Sequence, residues 1–134
     1  MLIQMTCMML WTGVCGITAF VGRVRAIRTR QIKTDDFKVL NLDDAPPFVQ
    51  RGTKHIANLF EFPVLFYGLC LAIEMKSFVD PLFTGLAWVY FLLRVGHSIV
   101  HLGPNIVSLR AALFLISNVC LIVMAIRLLI RLTG

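Results

Sequence analysis

Charge is scarce in this chain: Asp, Glu, Lys and Arg make 15% of its 134 residues, against an apolar share of 58% and a mean hydropathy of +0.83. So small a polar share excludes an ordinary soluble domain, which needs a polar exterior. The apolar residues fall in long blocks rather than in the short amphipathic repeats of a water-facing surface. Cysteine offers no framework either. Cys7, Cys15, Cys70 and Cys120 lie inside those blocks without CxxC spacing or adjacent polar ligands, so they read as small buried apolar residues, not as disulfides or a zinc site. No Lys or Arg precedes the first block and no small-residue cleavage pattern follows it, which argues against a removed signal peptide. The basic run after that block has no interleaved aromatics and adjoins apolar spans, so nucleic acid is not an expected partner.

What is present is four blocks of membrane-crossing length, about residues 1–21, 55–73, 81–100 and 106–132. Asp80-Pro81 forms a helix start and Gly103-Pro104-Asn105 a break before the last helix. The fold class expected is therefore all-α: an integral membrane four-helix bundle of up-down topology, a single domain over residues 1–134. Its one long polar loop spans residues 22–54 and its solvent is the lipid bilayer. Arg23, Arg25, Arg28, Arg30, Lys33, Lys38, Arg51, Lys54 and Arg110 fall on the side of the first and third loops. Only Lys76, Arg127 and Arg131 fall on the other, so the long loop is expected in the cytoplasm and both termini outside.

Ionisable residues inside the spans carry the functional information, because lipid tolerates them poorly. Arg51, Lys54, Asn58 and Glu61 recur at helical spacing on one face of the second helix, and Tyr90, Arg94, His97 and His101 do so on the third. Two such stripes are expected to face each other or a neighbouring subunit. They can serve as polar glue between helices, with Glu61 paired to Arg94 or Arg51. His97 and His101 stand four residues apart, as in metal-binding helices. The intervening Glu of that motif is missing, and a third ligand would have to be His55 or Glu61. The motif is unspecific, and no metal is assigned on it.

The segment RGTKHIANLFEFPVLFY, with Arg51, Lys54, Asn58, Glu61 and Pro63, resembles the second-helix signature of the MAPEG family, the membrane-associated proteins of eicosanoid and glutathione metabolism. YFLLRVGHSIVHLGPN and the following SLRAALFL are similar to that family's third helix and the start of its last, and the run of Arg94, His97 and His101 looks like its small uncharacterised bacterial branch. The resemblance covers nearly the whole chain. It implies a homotrimer with sites between subunits near the cytoplasmic face, in a bacterial inner membrane, and glutathione as co-substrate. In that picture Arg51 and Lys54 hold carboxylates and Asn58 and Glu61 orient the peptide and its ammonium; Arg94 is assigned to the same binding set as part of the third-helix stripe, with no role carried over from the family. Tyr90 lies near the sulfur. Counting back from Arg110 puts His101 where glutathione-using members carry an arginine that stabilises the thiolate; a histidine there can act as cation or base.

The function expected is thus a membrane protein that binds glutathione or a related thiol and transfers it to, or uses it to reduce, a small lipophilic acceptor arriving through the bilayer. Glutathione transferase and glutathione-dependent peroxidase activities both fit. The alternative from another class is a non-catalytic scaffold or regulator whose intramembrane polar residues only hold helices and subunits together.

Overall fold

In a computed structural model describing residues 1–33 and 45–134, the chain forms four helices: α1 (Leu2–Arg28), α2 (Pro47–Met75), α3 (Pro81–Leu102) and α4 (Val107–Thr133). All four are long and apolar enough to cross a membrane, and no strand occurs among the described residues. The shortest, with 22 residues, is about 33 Å long, just over the hydrocarbon thickness of about 30 Å. Large side chains such as Ile3, Leu10, Phe60, Leu92, Leu115 and Ile130 point outward, as lipid permits and water does not.

Two bounds differ from expectation, both around the long loop. α1 runs on to Arg28, since nothing between Gly22 and Arg28 breaks a helix and the cations Arg25 and Arg28 suit its negative C-terminal end. α2 begins at Pro47, a residue favoured in the first turn, so Arg51 and Lys54 are helical instead of lying in a loop. Residues 34–44, including Lys38, lie outside the described residues.

The other connections are tight. After α2, Ser77 adopts φ 54° while its N–H and that of Phe78 close onto the carbonyls of Glu74 and Ile73. Asp80 then caps α3, its Oδ1 accepting from the Phe83 N–H at 2.9 Å. After α3, Asn105 takes φ 53° and its N–H bonds the Val100 carbonyl at 2.7 Å. Connections this short run α2, α3 and α4 antiparallel in turn.

Packing is closest between α3 and α4 and between α1 and α2. The apolar core runs through Met8, Leu59, Phe66, Cys70, Ile73, Phe83, Ala87, Tyr90 and Met124, with Phe66 stacked on Tyr90 at 4.4 Å between centroids. Cys15, Cys70 and Cys120 are buried and Cys7 partly so, and all four are free thiols. At the end where α3 starts, Asp80 Oδ2 binds Arg127 at 2.5 Å and Arg131 at 2.7 Å, clasping α3 to the last turns of α4. At the opposite end, where α2 and α4 begin and α3 stops, no such carboxylate clasp occurs among the described residues.

Candidate functional site

That end holds a cavity of about 940 Å³ between α2, α3 and α4. The first turns of α2 contribute Gln50, Arg51, Lys54 and Asn58, the last turn of α3 His97 and His101, the turn after it Asn105, and α4 Arg110 and Phe114. Three of these, Arg51, Lys54 and Arg110, are basic, and no carboxylate lines the cavity among the described residues.

Local hydrogen bonds aim the cations. Arg51 donates from Nε to the Pro47 carbonyl at 3.3 Å and from Nη1 to the Gly103 carbonyl at 3.1 Å, so the α3–α4 turn holds a side chain of α2. Only glycine suits that turn, since a Cβ on residue 103 would stand 2.8 Å from the Ile99 carbonyl oxygen. Arg110 Nη1 donates to Asn105 Oδ1 at 2.7 Å and lies 3.1 Å from His101 Nδ1. The Arg110 carbonyl in turn meets His97 Nδ1 at 3.1 Å. Lys54 projects from the exposed side of α2.

Behind the cavity lies a buried polar layer. Arg94, only 1% exposed, donates Nη2 to the Asn58 carbonyl at 2.9 Å and sits between the rings of Tyr90 and Phe114, 5.9 and 5.5 Å from their centroids. Its Nε and Nη1 have no partner among the described residues, nor has the Tyr90 hydroxyl. His55, from α2, stacks its ring beside those of His97 and His101. Ser98 takes the indole N–H of Trp11 at 3.1 Å and donates to the Arg94 carbonyl, tying α1 to α3.

The chain matches the sequence model of the MAPEG family over residues 1–130. It belongs to the MAPEG family. No curated protein and no solved structure matches it. Four membrane-length helices and MAPEG membership together make it an integral membrane protein of the kind associated with glutathione and eicosanoid metabolism.

Of the residues singled out in the MAPEG signature, the fold brings Arg51, Lys54 and Asn58 into one cavity with His101. Three others stand apart from it. Glu61 faces outward from the middle of α2 and forms no ion pair with Arg94 or Arg51 among the described residues. The reason is local: Arg94 turns inward to the Asn58 carbonyl, one helical turn before Glu61. Tyr90 is fully buried against Phe66, a full turn deeper than Arg94. Arg94 itself backs the cavity without lining it.

Arg110, Asn105 and Gln50 are cavity residues that the stripe pattern passes over, because it follows single helices and these three come from a turn and from helix ends. The Gly103-Pro104-Asn105 break was the usable signal, since so tight a turn must return α4 beside the last turn of α3.

Proposed function

We propose that this MAPEG protein binds glutathione or a related anionic thiol in the α2–α3–α4 cavity and delivers its sulfur to a lipophilic acceptor dissolved in the bilayer. The observation that carries this reading is the concentration of Arg51, Lys54 and Arg110 around one cavity with no carboxylate among its described residues. Glutathione bears two carboxylates, each matched by a guanidinium or ammonium at charge-assisted hydrogen-bond strength. Asn58 supplies an amide for the peptide groups. His101, which lines the cavity, takes the thiol proton at Nδ1 once the Arg110 guanidinium withdraws from that atom to Asn105 Oδ1. The thiolate then forms a bond to an electrophilic carbon of the acceptor, whose leaving group departs with the displaced electron pair.

Assembly as a homotrimer fits the outward Glu61, a carboxylate that lipid would disfavour and a neighbouring subunit could cover. The basic end of the bundle facing the cytoplasm fits the distribution of Lys and Arg, in the inner membrane of a bacterial cell. A second reading has its own support: Arg94, Ser98 and His97 each bond a main-chain or side-chain group of a neighbouring helix or turn, as purely structural polar residues would. It leaves the cavity cations unexplained.

Calorimetric titration of glutathione into the detergent-purified protein separates the two readings. Saturable binding that weakens in Arg51→Ala supports the thiol site. Absence of heat at millimolar glutathione, from a protein shown to be folded, hands the polar layer to the scaffold reading.

A further inference from the structure

The histidines do more than line a cavity. His55 comes from α2, His97 and His101 from successive turns of α3, and the three are buried together, at 1%, 3% and 4% exposure. One ring nitrogen of each lies within 4.8 Å of the corresponding atoms of the other two. The ring centroids form a triangle with sides of 5.1 to 5.9 Å, so each imidazole neighbours both of the others. Four of their six nitrogens have no hydrogen-bond partner among the described residues: both of His55, and Nε2 of His97 and of His101. Buried polar atoms are almost always satisfied, so four orphan nitrogens on three neighbouring rings call for a guest.

We propose that His55, His97 and His101 bind one first-row divalent transition-metal ion, of the zinc type, with a fourth coordination position open to the cavity. Neutral imidazole is the preferred nitrogen ligand of such ions, whereas magnesium and calcium require oxygens that the cluster lacks. Tetrahedral Zn–N bonds of 2.0–2.1 Å place ligand nitrogens about 3.4 Å apart, so closing the triad needs only side-chain adjustment. His97 already has the outer bond that metal-bound histidines make: its Nδ1 meets the Arg110 carbonyl, which keeps the proton there and leaves the Nε2 lone pair free.

His101 needs one rearrangement. Arg110 donates to its Nδ1, which directs the proton to Nε2; for Nε2 to ligate, the Arg110 guanidinium has to withdraw to its other acceptor, Asn105 Oδ1 at 2.7 Å. The site also lies among cations, and three neutral ligands do nothing to offset them. The fourth ligand is therefore an anion, hydroxide or a thiolate or carboxylate entering from the cavity, which His97 and His101 both line. Ion and cavity are thereby coupled, yet the ion can be tested without any thiol.

The test uses the full chain in detergent, without a polyhistidine tag, and zinc or cobalt(II) alone as the probe. After chelator stripping, cobalt titration is read by its ligand-field absorption, zinc by elemental analysis, and both by the melting temperature. The expected result is one ion per chain, a melting temperature raised by metal and lowered by chelator, and an affinity reduced about a hundredfold or more in His55→Leu, beyond the 10–100-fold carried by outer partners. His55 does not line the cavity, and leucine removes two orphan nitrogens, so the stripped variant should melt no lower than the stripped wild type. Should it fail to fold, His101→Ala is read in its place. A folded wild type that takes up neither ion in molar excess, or a variant that takes up either as well as wild type does, overturns the proposal and leaves the triad to enclosed water.

Discussion

Arg51 and Arg110 reach the same cavity from different helices, and each is oriented by the α3–α4 turn, one through the Gly103 carbonyl and the other through Asn105. Under the thiol-site reading both should matter comparably: Arg51→Ala and Arg110→Ala are each expected to weaken glutathione roughly tenfold to a hundredfold in calorimetric titration, the scale of one charge-assisted hydrogen bond. Lys54→Ala should lose less, because that ammonium projects into solvent where its attraction is screened. At this scale the sequence was partly legible. Helical spacing found Arg51, Lys54, Asn58 and His101, because residues three and four apart share a face whatever the tertiary fold. It could not show that Glu61, one turn further on, leaves the cavity, since the direction in which α2 diverges from α3 is a matter of packing. It passed over Arg110 for the converse reason: that residue's neighbours are nine and five positions away, across a turn.

The elements were legible wherever chemistry punctuates them. Asp80-Pro81 and Gly103-Pro104 fixed the start and end of α3, whereas the loop-side ends of α1 and α2, continuous with charged helix-compatible sequence, ran past the apolar blocks that announced them. Both ends of α3 now make predictions. Gly103→Ala pushes a methyl to within 2.8 Å of the Ile99 carbonyl, so it should cost about 1–3 kcal/mol of stability in a detergent melt and also weaken glutathione, because the Gly103 carbonyl holds Arg51. At the other end, the Phe83 N–H and then Arg127 hold the Asp80 carboxyl below its ordinary range. A depressed carboxyl contributes stability at pH values above its unfolded pKa, and that stability is lost as pH falls through the lower folded value. Asp80→Asn should therefore melt below wild type at neutral pH, with the gap closing on acidification. A gap independent of pH would mean that the clasp to Arg127 and Arg131 contributes nothing through charge.

For the whole molecule the decisive residue is Glu61, because it separates a chain alone in lipid from one with a neighbour. Composition and block length were enough to read a four-span membrane protein. Nothing in one chain's pattern reports how many chains associate, since lipid-facing and subunit-facing helix surfaces are both apolar. Glu61 breaks that degeneracy by standing exposed at the midpoint of a 29-residue span. An acidic residue inside a membrane span costs up to about 2.5–3.5 kcal/mol on insertion scales, a cost that a cation or donor on an adjoining subunit would offset. If the homotrimer we propose covers it, Glu61→Leu removes that contact. Native mass spectrometry of detergent-released protein should then show three-chain particles for wild type and a shift to single chains for the variant, with the melting temperature falling. If Glu61 faces lipid in a solitary chain, leucine relieves the burden instead: the melting temperature rises and the mass stays that of one chain in both proteins. The two outcomes differ in the sign of the melting shift, so either one decides whether the subunit contact at α2 exists.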